Sequence, residues 1–387
     1  MSTRKQRFET RLIHAGEPRP RILGSVSMPV FQSSTFESGD ESSYHDVRYI
    51  RLNNTPNHLV LHEKLAALEG AEKALVTSSG MAAVTTTLLS LLSAGDHLLA
   101  QDSLYGGTHS FIGEDLPKLG ITPTFIDGED PASWKAQLRP TTRVIYVETM
   151  TNPLLRIGDL EAVVRFAREH GLVSIIDNTF ASPLLFRPPE HGFDLSLHSC
   201  TKFLNGHSDI VAGAVIGRGA LLEKVKHKLD HLGGSLDPHA CALLHRGMKT
   251  LALRMRQQSQ SALQLARVLE AHPKVEKVNY PGLESHRAHA RARSLLEGGF
   301  GGMLSFEPRG GAQVAAKILK SMTLALSAPS LGGVETLVTR PAKTSHAGMP
   351  PEERQRRGIS DSLIRVSVGI ESTEDLLEDF RSALDAA

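Results

Sequence analysis

Apolar residues follow two patterns along the chain, short continuous runs and positions spaced as in a helix. The two patterns alternate between residues 57 and 216. Leu61, Leu65 and Leu68 have helical spacing, which predicts a helix over 57–68 that ends at Gly70. Strands are predicted at 74–77, 97–101, 122–126, 143–148, 173–176, 194–198 and 210–216, and further helices at 82–92, 105–119 and 160–170. Such alternation is typical of a mainly parallel sheet covered by helices.

Two other parts flank this alternating region. Residues 1–60 are rich in Pro, Ser, Arg and Asn and show little periodicity, so we expect an extended arm that contacts a neighbouring subunit. Later in the chain the pattern predicts a helix at 243–269, strands at 303–306, 322–325 and 363–368, and an amphipathic helix at 375–384. We therefore predict an arm at 1–60, a large domain at 61–250 and a smaller α/β domain at 251–387.

Composition narrows the class of partner. The 387 residues are 40% hydrophobic and 22% charged, and 43 basic against 42 acidic residues leave a net charge of +1. This balance gives no electrostatic case for nucleic acid or an anionic membrane, so we expect a small-molecule substrate. The two cysteines, Cys200 and Cys241, suggest neither a disulfide framework nor a metal site, and the charged N-terminus lacks the apolar core of a secretory signal. We expect a cytoplasmic enzyme.

Polar residues follow three predicted strands: Asn152, Asp177 and Lys202. The carboxyl ends of strands are where parallel sheets bind ligands. Lys202 lies in a loop between two apolar strands, and the hydroxyls of Ser199 and Thr201 beside it suit a phosphate. Pyridoxal phosphate (PLP) would use both features, because it carries a phosphate and an aldehyde that reacts with a desolvated lysine. An ordinary loop lysine is the alternative.

Three more residues fit such a cofactor or its substrate. Asp177 would pair with a pyridinium nitrogen, or it forms an Asx turn or a helix cap. Tyr105 would stack on the ring face, or it is a packing tyrosine. Arg365, on an apolar strand, would bind a substrate carboxylate through its planar fork, or it forms an internal salt bridge.

Two stretches could hold an anion. Ser79, Gly80 and Met81 join a strand to a helix, and the free amides of a helix N-terminus attract phosphate. A plain serine N-cap is an equally good interpretation. Tyr49 and Arg51 would point the same way on extended chain, which suits an anion, although a solvated loop explains them as well.

Several motifs together resemble a known family, and the likeness runs collinearly from about Thr10 to the C-terminus. They are SSGMAA, DSLYGGT, TNPLL, DNTFASP, LHSCTKFLNGHSD, SLGGVETL and LIRVSVGIE. The chain resembles the PLP-dependent transsulfuration enzymes, which include cystathionine γ-synthase, cystathionine γ- and β-lyases, methionine γ-lyase and homoserine-ester sulfhydrylases. The resemblance implies PLP fold type I, which is aspartate-aminotransferase-like, with a mostly parallel seven-stranded sheet and a smaller C-terminal α/β domain. It also implies a homotetramer, a dimer of dimers with shared active sites.

The resemblance assigns roles to the candidate residues. Lys202 would be the Schiff-base lysine, Asp177 the partner of the pyridine nitrogen, and Tyr105 the stacking residue that takes part in catalysis. The implied phosphate ligands are Ser79, Gly80, Met81, Ser199 and Thr201, with Tyr49 and Arg51 from the adjacent subunit, and the implied substrate ligands are Asn152, Ser330 and Arg365.

The sequence departs from the family pattern at several positions. Thr55 and Pro56 stand in reversed order in the Tyr-x-Arg-x-x-Asn motif, and Gly107 replaces the cysteine usual in methionine γ-lyases. Where many γ-synthases and γ-lyases have an acidic residue, an arginine and a glutamate, this chain has Arg48, Ser110 and Pro329. Acidic groups there would meet the distal ammonium of cystathionine.

We therefore predict a PLP-dependent carbon–sulfur lyase that acts on cystathionine, homocysteine or a related sulfur amino acid. The second hypothesis is a γ-replacement enzyme, a cystathionine γ-synthase or O-acylhomoserine sulfhydrylase. A non-catalytic PLP-binding scaffold is a third, although it would need none of Lys202, Asp177, Tyr105 and Arg365.

Overall fold

The computed structural model describes residues 6–39 and 42–387. Residues 1–5, 40 and 41 of the predicted arm lie outside this range. Within the described part, fourteen α-helices are assigned: α1 Phe8–His14, α2 Pro56–Glu69, α3 Gly80–Leu91, α4 Gly106–Ser110, α5 Pro131–Trp134, α6 Leu160–His170, α7 Ser182–Leu185, α8 Gly219–Leu232, α9 Pro238–Met248, α10 Leu251–Ala271, α11 His289–Leu295, α12 Gly311–Ser321, α13 Pro351–Arg356 and α14 Thr373–Asp385.

Seven strands form the larger sheet: β1 Lys73–Thr77, β2 His97–Gln101, β3 Thr122–Ile126, β4 Thr142–Glu148, β5 Val173–Asp177, β6 Leu195–Ser199 and β7 Gly213–Gly217. Their order is β1-β7-β6-β5-β4-β2-β3. Neighbours from β3 to β6 are parallel, while β7 runs antiparallel to both β6 and β1. The predicted mostly parallel, seven-stranded sheet is confirmed.

Apolar side chains cover both faces of this sheet. In β4, Ile145 and Val147 belong to one buried cluster, whereas Val144 and Tyr146 belong to another on the opposite face. This arrangement follows from the period of two in a strand and explains why the strands read as continuous apolar runs. No helix in the described ranges is long and apolar enough to cross a bilayer.

The second sheet contains β8 Val275–Asn279, β9 Met303–Pro308, β10 Leu326–Ser327, β11 Leu337–Thr339 and β12 Ile364–Ser367, in the order β10-β11-β12-β9-β8. Helices α10, α12 and α14 pack beside it around a separate apolar core. Arg365 lies on β12, where its neighbours on either side are β9 and β11.

The strand predicted at 322–325 is wrong. The amides of Thr323, Leu324 and Ala325 donate to the carboxylate of Asp379 at 2.7–3.1 Å, so they are not available to a strand partner. The observed strand, β10, begins one residue later and is only two residues long.

The single helix predicted at 243–269 is two helices, α9 and α10. They are separated at Lys249 and Thr250. At the break, the Arg254 side chain donates to the Gly247 carbonyl at 3.0 Å, and the Thr250 hydroxyl donates to the same carbonyl at 3.1 Å. Carbonyls at a helix end need such donors, so these side chains stabilise the interruption.

The arm is not wholly extended, since it contains α1. The extended chain expected from Tyr49 to Arg51 is also wrong, because a 3₁₀ turn spans Ile50–Leu52. Asn54 closes this turn by accepting the Tyr49 amide at 3.0 Å and donating to the Val47 carbonyl at 2.9 Å. Tyr49 and Arg51 therefore do not follow strand alternation.

Thr55 and Pro56 mark the start of a helix. Pro56 is the first residue of α2, where a missing amide hydrogen costs nothing, and Thr55 is the residue before it. The Thr55 hydroxyl lies 2.7 Å from His58 Nδ1. The Thr-Pro order thus suits the N-terminus of α2.

Candidate active site

The carboxyl ends of β4, β5 and β6 border a cavity of about 570 Å³. This volume is within the range of small-molecule and cofactor sites, which lie at this edge of parallel sheets. The predicted site residues that line it are Ser79, Gly80, Met81, Tyr105, Asn152, Asp177, Ser199, Thr201, Lys202, Ser330 and Arg365. The structure therefore brings together residues from both sheets.

Lys202 lies in the turn that follows β6, and its amide donates to the Ser199 carbonyl at 3.2 Å. Its Nζ donates to the Ser330 hydroxyl at 2.8 Å. Burial, and then the positive charge of Arg365, lower the pKa of the amine from 10.5 to about 8. A larger share of the amine is thus neutral, and so nucleophilic, near neutral pH.

Asp177 is the last residue of β5, and burial raises the pKa of its carboxyl. One carboxylate oxygen accepts the Thr179 amide at 2.9 Å. Within residues 6–39 and 42–387, no ion pair includes Asp177. A buried carboxylate in this setting favours a cationic N–H donor in the cavity.

The N-terminus of α3 forms another wall of the cavity. Ser79 caps this helix by accepting the Ala82 amide at 2.9 Å. Gly80 lies so close to β6 that a Cβ there would be 2.7 Å from the Cβ of Ser199. The close approach places the N-terminus of α3 beside the Ser199 side chain, and these groups together suit a phosphate. Thr201 also lines the cavity, and its hydroxyl donates to the Ala212 carbonyl at 3.2 Å.

Arg365 lies at the other end of the cavity. Its Nη1 donates to the Asn152 Oδ1 at 3.2 Å, and its Nη2 donates to the Ser330 carbonyl at 2.8 Å. The buried Nε of Arg365 has no hydrogen-bond partner among the described residues. Burial lowers the pKa of Arg365 to about 10, so the guanidinium stays charged at neutral pH. A carboxylate is the natural ligand for it.

Tyr105 precedes α4 and is 44% exposed, with its side chain at the cavity. Its amide donates to Glu148 Oε1 at 2.6 Å. Gly107 lies against the ring, because a Cβ there would be 2.8 Å from Tyr105 Cε1. The cysteine usual at this position in methionine γ-lyases would displace the ring as Tyr105 lies here.

Tyr49 and Arg51 do not line the cavity of their own chain. Arg51 Nη1 donates to the Asp230 carbonyl at 2.7 Å, and its guanidinium lies over the rings of Tyr44 and Tyr49. A role for Tyr49 and Arg51 in the site would require a second subunit.

Several residues that line the cavity were not predicted as site residues, including Glu148, Thr179, Thr344 and Ser345. Glu148 had a usable signal, because it ends the predicted strand 143–148 and pairs in register with Asp177. Thr344 and Ser345 had none, since they reach the cavity from the distant segment between β11 and β12.

Comparison with known proteins defines the class. Residues 9–385 match the family model described as Cys/Met metabolism PLP-dependent enzyme. The chain is 42% identical to cystathionine beta-lyase MetC of Bacillus subtilis, over 99% of this chain and 98% of that protein. It is 39% identical to L-methionine gamma-lyase of Fusobacterium nucleatum subsp. polymorphum, over 100% of both. The crystal structure of cystathionine gamma-lyase from Lactobacillus plantarum complexed with L-serine aligns with a TM-score of 0.92 at 38% identity, over 98% and 99% of the two chains.

The chain belongs to the Cys/Met metabolism family of PLP-dependent enzymes. PLP fold type I, PLP as cofactor, and the class of PLP-dependent carbon–sulfur lyases of the transsulfuration family are thereby confirmed. The cavity fits this cofactor, because it offers an amine for the aldehyde, a buried carboxylate for the ring nitrogen, and a helix N-terminus for the phosphate.

Proposed function

We propose that the protein eliminates a thiol from cystathionine, homocysteine or a related sulfur amino acid. The observation that supports this most is that Lys202 and Arg365 both donate to Ser330, Lys202 to its hydroxyl and Arg365 to its carbonyl. A carboxylate bound by Arg365 would lie beside the Lys202 amine. This is the geometry that an α-amino acid needs to lose its α-proton to a lysine.

The cofactor would be held by three groups of residues. Lys202 would hold the aldehyde carbon, and Asp177 would hold the ring nitrogen in its protonated form. The phosphate would be held by Ser79, Gly80, Met81, Ser199 and Thr201. When bound, the cofactor supplies an electron sink for the charge left on the α-carbon.

The chain's own residues would act in sequence. Arg365 and Asn152 would bind the carboxylate and orient the α-carbon. The Lys202 amine would then take the α-proton, and the Ser330 hydroxyl, which accepts from Nζ, would fix its direction. Tyr105 would cover the ring face and serve in proton transfer near the leaving sulfur.

Four further expectations belong to this proposal. Tyr49 and Arg51 would complete the phosphate site of a neighbouring subunit in a homotetramer, which agrees with their position away from their own cavity. The arm at 1–60 would contact that subunit. The enzyme would be cytoplasmic, and it would act without a metal.

A second candidate, γ-replacement on an O-acylhomoserine, is favoured by one feature of the cavity. Within the described chain, the only carboxylates that line it are Glu148 and Asp177, and Pro329 and Leu331 lie beside Ser330. The lining therefore offers no separate carboxylate for the distal ammonium of cystathionine.

Incubation of the purified enzyme with L-cystathionine tests the proposal. 2-Oxobutanoate with cysteine, identified by mass, would show γ-elimination, and pyruvate with homocysteine would show β-elimination. If neither forms from cystathionine or homocysteine, while O-acylhomoserines react with thiols, the replacement reaction takes its place. Lys202→Ala should lose both turnover and the visible absorbance of the bound cofactor, and retention of both would overturn the assignment of Lys202.

A further inference from the structure

Glu148 is a buried acidic residue at the cavity that none of the proposed steps uses. It ends β4 and is 5% exposed, and its own amide donates to Gln101 Oε1 at 3.0 Å. Its side chain therefore starts from a fixed point on the sheet.

Two segments of the site converge on the Glu148 carboxyl. The Tyr105 amide donates to Oε1 at 2.6 Å, which is short for a hydrogen bond from a backbone amide. The backbone amide of Asn152 also acts on the same carboxyl and lowers its pKa. Tyr105 is the residue before α4, so its hydrogen bond to Glu148 joins the segment that carries the stacking ring to the end of β4.

The surroundings of the Glu148 carboxyl disfavour its charged form. Burial, and then the charge of Asp177 on the adjacent strand, raise the pKa of Glu148 well above its usual range. Within the described residues it has no ion-pair partner. A buried polar group needs a hydrogen-bond partner to offset its desolvation, and the Tyr105 amide supplies one here.

We propose that Glu148 is a positioning residue, which sets the place of the Tyr105 ring over the cofactor by accepting the Tyr105 backbone amide. The Tyr105 side chain is 44% exposed, so the hydrogen bond that anchors its backbone helps to set where the ring lies. Gly107 lies against the ring. The inference rests on the proposed cofactor site but adds a residue and a role to it.

Two substitutions separate the acceptor from the charge. Glu148→Gln keeps an oxygen acceptor of the same length and removes the ionisable group, whereas Glu148→Leu fills the space and removes the acceptor. Asp379→Leu is the matched control. Asp379 is also a buried carboxylate that accepts backbone amides, but it lies outside the cavity lining.

The readouts on the holoenzyme are the induced circular dichroism of the visible cofactor band, the PLP dissociation constant, and kcat and KM. We expect Glu148→Leu to change the sign or intensity of the dichroism per bound cofactor. Its kcat should fall 10- to 100-fold, which is the scale of effect of displacing a positioned group by about 1 Å. Glu148→Gln should restore the dichroism and most of kcat, and Asp379→Leu should lower the melting temperature without altering the dichroism.

Unchanged dichroism and kcat in Glu148→Leu would overturn the proposal. So would a Glu148→Gln variant as defective as Glu148→Leu, because the charge and not the acceptor would then matter. If Glu148→Leu does not fold, the Gln variant still decides between acceptor and charge. These results leave the role of Lys202 untouched, since that role is tested by Lys202→Ala.

Discussion

Removing the positive charge of Arg365 should make Lys202 a weaker nucleophile at neutral pH. Burial and Arg365 together lower the pKa of the amine from 10.5 to about 8. At pH 7 an amine with a pKa of about 8 is about 10% neutral, against about 0.03% at 10.5, a difference of about 300-fold in the reactive form.

The size of the effect follows from the order of the two causes. Burial is the larger cause and remains in Arg365→Met, so removing the charge recovers less than half of the difference. The pKa of Lys202 in the variant should then lie between about 8 and about 9.2. At pH 7 the neutral fraction would fall by up to about 15-fold.

The assay is recovery of visible absorbance when PLP is added to the cofactor-free enzyme over a range of pH. At each pH, the rate is divided by the rate at which the neutral amine of Nα-acetyllysine reacts with PLP. This division removes the pH dependence that comes from PLP itself. The midpoint should lie near pH 8 in the unchanged enzyme and higher in Arg365→Met, while Arg365→Lys, which keeps the charge, should stay near 8. A midpoint near 10.5 in the unchanged enzyme would show that the site does not lower the pKa of Lys202, and an unchanged midpoint in Arg365→Met would show that the charge of Arg365 does not act on it.

Two other predictions concern packing and pH. Gly80→Ala should lower the free energy of unfolding by about 1–3 kcal/mol and weaken PLP binding, because the new Cβ would lie 2.7 Å from the Cβ of Ser199. Thermal unfolding measures the first effect and PLP titration the second. The control is Gly348→Ala, whose Cβ would lie in open space, and it should change neither stability nor PLP binding. Burial lowers the pKa of Lys64 in the folded protein from 10.5 to about 8. Between these two values Lys64 is protonated in the unfolded chain and neutral in the folded protein, so the free energy of unfolding should rise from pH 8 to 10.5. In Lys64→Met holoenzyme, denaturant unfolding should show a smaller rise, and an undiminished rise would contradict this account.

Much of the large sheet was predictable because its strands are buried on both faces. β2, β3 and α6 have the bounds that the apolar pattern predicts. β8 was missed because Val275–Asn279 is an edge strand with two exposed charged side chains, so its pattern is not apolar. The error at 322–325 has another cause, since Asp379, far along the chain, binds those amides.

The candidate site likewise contains residues that could be predicted from the sequence and residues that could not. Asp177 and Lys202 were predictable because parallel strands bring their carboxyl ends to one edge. The contact between the Tyr105 amide and Glu148 joins segments that are 43 residues apart, and no local pattern encodes it. Residues 344 and 345 reach the cavity only because the two sheets pack together.

The two ends of the cavity are also separated along the chain. The residues at the cofactor end extend from Ser79 to Lys202, whereas Ser330, the hydrogen-bond partner of Lys202, follows it by 128 residues. During synthesis the ribosome therefore completes the cofactor end, and then β7 that closes the sheet beside it, well before it makes Ser330 and Arg365. Under the proposed assignment, a growing chain has its own residues for the cofactor before it has those for a substrate, so the two halves of the site are completed at different stages of synthesis.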